Sequence, residues 1–300
     1  MDCASLTVTF HPDAAPLVSQ LLALPPEWPK LLVDNGTHEA SWRVVKQAIS
    51  GIPGVQVIRL GSNRGLAAAQ NEGIRLLARR GDVTHVLLLD QDSEPQPQMA
   101  LELAEAFVGL ERSGWRVGAV GPSLVDPVNG VRHGFHCISG WRWMRVSPVG
   151  GDPLQCAGLN GSGTFMALEI ACTLGGMDDE LFIDMVDAEW SFRIVAAGFV
   201  LFGVPKSTLL HRMGDRTTRL WLLGWRVWPI RSPLRHRYLF RNTVLLLRRP
   251  YVPRVWKFWA AVKLPLTAAI FGLLGPHRIE QLNAMARGVI DGLRGRTGAL

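Results

Sequence analysis

The chain has 300 residues, 48% hydrophobic and 19% charged, with a net charge of +7. This suits one large globular domain, or one domain with an appendage, and excludes a low-complexity or repeat protein. The four cysteines (Cys3, Cys137, Cys156, Cys172) have no CxxC spacing and the eight histidines no HExxH, which excludes a zinc-ribbon or zincin pattern and predicts reduced, buried thiols.

In chain order, Leu6 to Phe10 reads as a strand, ended by His11-Pro12-Asp13, and residues 14–24 as a short helix. Lys30 to Val33 is a second strand, closing on the turn signal Asp34-Asn35-Gly36, and a helix follows over about 39–50. Val55 to Leu60 is the third strand. Residues 65–80 are helical, with Leu66, Ala69, Gly73, Leu76 and Leu77 near one face. Thr84 to Leu89, a helix over 97–112 and a strand at Val117–Val120 complete an alternating series. Such alternation predicts right-handed βαβ units and a mostly parallel sheet flanked by helices. Residues 131–168 read as hairpins and loops. Asp187 to Gly198 reads as a helix with a glycine cap, and short strands follow near 199–203 and 207–211. From about 230 the pattern is helical, interrupted by Pro250, Pro253, Pro265 and Pro276.

The net charge hides a division. Residues 1–205 carry 14 Lys and Arg against 22 Asp and Glu, whereas residues 206–300 carry 18 against 3. Together with the alternating pattern, this division suggests one α/β domain over 1–215 and a helical, basic region over 216–300. That basic region holds Trp221, Trp225, Trp228, Trp256 and Trp259. Arginine and lysine beside tryptophan and aliphatic runs fit an anionic membrane surface better than nucleic acid. The run Phe258–Gly275 approaches the ~20 residues of a membrane span, but Lys263 and Pro265 favour a helix lying in the interface. The start, Met1 to Ser5, has no basic or apolar leader pattern, so no signal peptide and a cytoplasmic protein are expected.

Val86 to Leu89 followed by Asp90-Gln91-Asp92 is the most informative segment. A buried strand there delivers two carboxylates to the sheet edge where open α/β sheets bind ligands, and the pair can hold a hard divalent cation. Asp34 ends another strand on the same predicted edge. The loop Gly61 to Asn71 is neither a P-loop nor a GxGxxG turn; its Asn63 can cap a helix and its Gly65 can turn the chain sharply. In Gly158 to Met166, three glycines bring backbone N–H groups close to a partner or close a tight hairpin. Asp178 to Trp190 is densely acidic, with Asp187 at a helix start among apolar residues. Burial there raises a carboxyl pKa and makes a better base, although Asp is also an ordinary cap. His211 follows a short apolar run.

Taken together, Asn63 to Asn71, Leu89-Asp90-Gln91-Asp92-Ser93 and Phe182 to Arg193 resemble the inverting nucleotide-sugar glycosyltransferases of family 2, and within them the bacterial rhamnosyltransferases. The resemblance covers about residues 5–250 and implies a GT-A fold. It implies that Thr9, Phe10, Asp34, Asn63, Gly65, Asp90 and Gln91 hold the donor, and that Asp90, Asp92 and His211 hold Mg²⁺ or Mn²⁺. It further implies Asp187 as the base, with Gly161, Ser162, Glu189, Trp190 and Arg193 on the acceptor side. The donor it implies is dTDP-β-L-rhamnose, and the acceptor a glycan or a polyprenyl-diphosphate-linked glycan. Phe10-His11-Pro12 stands where the family often has Tyr-Asn-Pro, which leaves ring stacking on a base but removes a hydroxyl. A nucleotidyltransferase would show a Gly-rich basic loop in place of His11 to Ala15, and a non-catalytic binding protein would tolerate loss of Asp90, Asp92 and Asp187.

Overall fold

The computed structural model describes residues 1–127, 130–148, 150–211, 216–221 and 225–300, and side chains outside residues 212–229. The parallel half of the sheet is built from β1 (Cys3–Thr9), β2 (Lys30–Asp34), β3 (Val55–Arg59) and β4 (His85–Asp90), linked by helices α1 (Ala14–Ala23), α2 (Glu39–Ile49) and α3 (Leu66–Arg80). β1, β2 and the centre of β4 are buried on both faces, as continuous apolar runs in a helix-covered parallel sheet must be. Register sets the functional edge: Thr9 lies opposite Asp34, and Val8 opposite Asp90, so three strand ends open on one side.

Beyond them come β5 (Glu94–Pro95), α4 (Met99–Arg112), β6 (Val117–Val125), β7 (Arg132–His133), β8 (Phe135–Ser139), β9 (Arg142–Val146), β10 (Leu154–Cys156) and β11 (Phe165–Ala167). A short helix α5 (Leu168–Thr173), a 3₁₀ turn at Asp179–Leu181, α6 (Val186–Ala196) and β12 (Val200–Leu210) follow. The sheet runs β10-β12-β6-β11-β4-β1-β2-β3, with β11 antiparallel to both neighbours and β12 parallel to β6. The sequence reading of 131–168 as hairpins and loops holds for β8–β9 but misses β11. Three residues carry no readable period, yet Phe165 and Met166 are fully buried and contribute about 1.5–3 kcal/mol each. The two strands expected near 199–211 are one strand with a register shift between Val204 and Thr208.

The C-terminal region departs from expectation twice. It begins with a hairpin of β13 (Arg216–Trp221) and β14 (Trp225–Ile230), not a helix. Side chains of Trp221, Trp225 and Trp228 lie outside the described residues. Helices α7 (Pro233–Leu247), α8 (Arg254–Leu274) and α9 (Arg278–Leu293) follow, and α8 runs through Pro265 without ending. These helices are not a loose appendage. Leu246, Val252, Trp256 and Ala260 belong to the same hydrophobic cluster as the sheet residues Leu6, Val33 and Leu88. The outer side of α8 is different: Phe258, Val262 and Leu273 are exposed, opposite the buried Trp256, Ala260, Thr267 and Phe271. By length and composition α8 is apolar enough to cross a membrane, with a mean hydropathy of 1.4.

Candidate active site

A cleft of about 1250 Å³ opens at the strand ends, and Asp90, Asp92, Asp187 and His211 all line it. β4 delivers Asp90, and the turn after it presents Asp92 to solvent. This turn is held from below. Gln20, fully buried on α1, donates through Nε2 to the carbonyls of Asp90 (2.6 Å) and Ser93 (2.7 Å) and accepts from Thr7 Oγ1 (2.9 Å). Ser162 Oγ accepts the Asp90 N–H at 3.0 Å and lies 2.6 Å from Ser93 Oγ, which is 3.1 Å from His211 Nδ1. One oxygen each from Asp90 and Asp92 and one His211 nitrogen all lie within 4.8 Å of one another. Two carboxylates and an imidazole at that spacing fit a divalent cation of the Mg²⁺ or Mn²⁺ kind.

The electrostatics agree with that fit. Burial pushes the Asp90 carboxyl up to about 6, with His211 opposing the shift and the charges of Asp92 and Asp187 adding to it. Asp187 sits in the first turn of α6, and burial raises its pKa above the carboxylate range. Its Oδ1 accepts the Ala188 N–H at 2.8 Å, and the Gly161 backbone also bonds it. The approach to Asp187 is contorted: Phe182, Asp184 and Met185 have φ of 62°, 63° and 67°. This loop packs on the start of α3, where Leu66 N–H bonds Phe182 O at 2.6 Å. Gly65, at φ 89°, permits the contact, since an added Cβ would fall 2.6 Å from the Phe182 ring.

On the donor side, Phe10 and Gln91 line the cleft, and Gln91 is tied to Phe10 by bonds to its N–H (2.7 Å) and carbonyl (3.2 Å). Phe10 is 42% exposed, so its ring is free to stack on a flat base. Asn63 lines the cleft but does not cap α3. Its Oδ1 accepts from Gly65 N–H (2.9 Å) and Asn35 Nδ2 (3.0 Å), while Asn35 Oδ1 accepts the Arg64 N–H.

Five expected site residues do not line this cleft. Thr9 and Asp34 are fully buried behind it. Asp34 accepts the Thr37 N–H and pairs with Arg59 at 3.2 Å, so Asn35 takes its place on the wall. Ser162 is a support beneath the Asp90 turn. Glu189 and Arg193 pair through two 2.8 Å bonds on the back of α6, where Tyr251 (2.6 Å) and Arg249 (3.3 Å) also meet Glu189. Gly161 and Trp190 do reach the cleft. Sequence reasoning missed Gln20, Asn35 and the α7 residue Asn242. The first is one polar residue on an apolar helix face, a signal the sequence does hold; the others carry none, since their partners lie far along the chain.

Residues 13–125 match Glycosyl transferase family 2. The chain is 28% identical over 307 residues to the dTDP-rhamnosyl transferase RfbF of Shigella flexneri, covering 98% of this chain and 96% of that one. It is 27% identical over 211 residues, 63% of this chain and 68% of the other, to an N-acetylglucosaminyl-diphospho-decaprenol L-rhamnosyltransferase of Mycobacterium tuberculosis. Among solved structures it superposes on GalNAc-T7 with UDP, GalNAc and Mn²⁺ (TM-score 0.59, 17% identity), covering 98% of this chain and spanning 56% of that one. It also superposes on the mannosyltransferase PcManGT of Pyrobaculum calidifontis with GDP-Man and Mn²⁺ (TM-score 0.56, 16% identity), covering 98% of this chain and 88% of the other. Residues 13–125 carry a family 2 glycosyltransferase domain, and the chain has the GT-A fold of these neighbours, which together support a glycosyltransferase.

Proposed function

We propose that this glycosyltransferase moves L-rhamnose from dTDP-β-L-rhamnose, with inversion, to a hydroxyl of a glycan acceptor carried on a polyprenyl diphosphate, in cell-surface polysaccharide synthesis. The observation that carries the reading is the convergence of Asp90, Asp92 and His211 in one cleft with the half-buried base candidate Asp187. The sugar rests on the likeness to the two rhamnosyltransferases.

Asp90, Asp92 and His211 would hold Mg²⁺ or Mn²⁺, which when bound offsets the charge on the departing nucleoside diphosphate. Phe10 stacks on the base, and Asn35 and Asn63 shape the wall beside it. Asp187, opposite the diphosphate, takes the proton of the acceptor hydroxyl as that oxygen attacks the anomeric carbon. The electron pair of the broken glycosidic bond leaves on the phosphate oxygen. One displacement from the opposite face inverts the anomeric centre, with no covalent enzyme intermediate. The exposed apolar side of α8, within a basic region, rests on the inner face of the cytoplasmic membrane, where such an acceptor lies.

A thermal-shift screen of nucleotide sugars with Mg²⁺ or Mn²⁺ tests the donor. dTDP-rhamnose is expected to raise the melting temperature most, and only with metal; a larger shift with a different nucleotide sugar overturns the assignment.

A further inference from the structure

Two cations line the cleft without a carboxylate partner among the described residues. Arg145 comes from β9 and Lys263 from α8. Arg145 Nη1 meets the ring nitrogen Nδ1 of His133 at 3.0 Å, and Lys263 makes no hydrogen bond or ion pair among the described residues. Arg231, near Lys263, is already held by Asp184 at 2.8 Å. Burial and then the charges of Arg145 and Arg231 push the Lys263 ammonium below its ordinary pKa, and no carboxylate offsets them. Neighbouring His136 has its pKa lowered to about 3 by burial and then by the charges of Arg145 and Lys263.

The same wall leaves two buried nitrogens without partners, Trp190 Nε1 and His136 Nδ1. Arg145 and Lys263 are solvent-accessible and face the cleft, so two cations without a carboxylate partner and an unused donor on this wall are matched by a ligand with several anionic oxygens. These cations come from β9 and α8, whereas the metal-binding group stands on β4, the turn after it and the end of β12.

Beside this recess the surface is apolar. Ile138, Trp141 and Met144 are exposed on the β8–β9 hairpin, and Phe258, Trp259 and Val262 on α8. The two groups are joined where Trp259 Nε1 donates to Trp141 O at 2.9 Å. A cationic pocket with an apolar lip has the chemistry of an amphiphile's binding site, headgroup inside and chain across the lip.

We propose that Arg145 and Lys263 form an anion subsite for the diphosphate of a lipid-linked acceptor, whose chain leaves over Trp141 and Trp259. This rests on the glycosyl-transfer reading above. The subsite holds the headgroup on the wall made by β9 and α8, leaving the sugar to extend toward Asp187.

The probes are farnesyl diphosphate and inorganic pyrophosphate, titrated against the full chain in EDTA by calorimetry. Farnesyl diphosphate is expected to bind without metal and at least about tenfold more tightly than pyrophosphate. Lys263→Gln and Arg145→Gln should each weaken it about tenfold or more, while leaving Mn²⁺-dependent dTDP binding within about twofold. Trp141→Ser should remove the farnesyl preference and leave pyrophosphate binding unchanged. Equal binding of the two probes, or farnesyl diphosphate binding insensitive to both charge substitutions, overturns the subsite. So does loss of that binding on Asp92→Ala, which would place the probe in the donor site. Failure of dTDP to bind with Mn²⁺ counts against the glycosyl-transfer reading instead, and is read separately from the metal-free titration.

Discussion

The side-chain Nδ2 of Asn242 lies 2.9 Å from the carbonyl oxygen of Asp184, three residues before the proposed base Asp187. The same amide lies 2.8 Å from the carbonyls of Leu181 and Ile183, and Arg241 Nη2 adds a bond to Leu181 O at 3.1 Å. Asn242 is fully buried on α7, so the basic C-terminal region reaches under the active site and grips its most contorted loop. Left-handed backbone at three non-glycine residues costs about 1–3 kcal/mol each, and persists only where the surroundings over-determine it.

Asn242→Ala removes the clamp and takes a donor from the part-buried carbonyls of Ile183 and Asp184, while Leu181 O keeps Arg241. We expect a stability loss of about 1–3 kcal/mol by denaturant melts. Turnover should fall at least about tenfold while Mn²⁺-dependent dTDP affinity holds, because the loop orients Asp187 and not the donor. Unchanged turnover would mean that the loop keeps its shape without α7.

Asp187→Asn keeps the side chain's size but cannot accept the proton. Turnover is expected to drop about 10²–10⁴-fold with donor affinity retained. In the wild type the acid limb of the rate profile should lie above the ordinary carboxylate range, because burial favours the protonated form. A variant at wild-type rate removes Asp187 from the role of base.

Asp92→Ala and His211→Ala each delete one proposed metal ligand. Mn²⁺ should tighten dTDP binding to the wild type, and each substitution should reduce that gain by about tenfold or more. Calorimetry with and without EDTA reads it directly; equal affinity in both conditions would argue against a cation at these residues.

The Asp90 carboxyl, pushed up to about 6 by burial, sets a pH window. The folded protein holds this proton more tightly than the unfolded chain, whose Asp titrates near ~4. From this group alone, metal-free stability rises as pH falls from about 7 toward about 4, and is lost again as pH rises through about 6. Metal binding needs the ionised form and runs the other way. The Mn²⁺-induced melting shift should therefore be large at pH 7.5 and shrink below about 6. A shift of equal size at pH 5 would contradict this.

Phe258→Ser with Leu273→Ser alters only the outer side of α8. Co-sedimentation with anionic vesicles at low salt should fall several-fold while the melting temperature holds. Truncation near residue 250 is a poor test of the same idea, because Val252, Trp256 and Ala260 are part of the central core. Undiminished sedimentation of the double variant would move the contact elsewhere.

The sequence by itself determined the alternating fold, the strand that delivers Asp90, the acidic pair beside it and the helix whose first turn holds Asp187. These are local properties: a period of two or 3.6 in hydrophobicity, or a short run of polar residues after an apolar one. Tertiary structure alone decided which carboxylates face the cleft. Asp34 and Glu189 look as available as Asp90 in the sequence, yet Arg59, Arg193, Arg249 and Tyr251 have engaged them. It also decided that the basic C-terminal region is part of the site, since the bonds from Asn242 to residues 181–184 bridge about sixty positions of chain. Local patterning records which face of an element is buried but not which distant element buries it, and a buried charge is silenced or kept active by that distant partner.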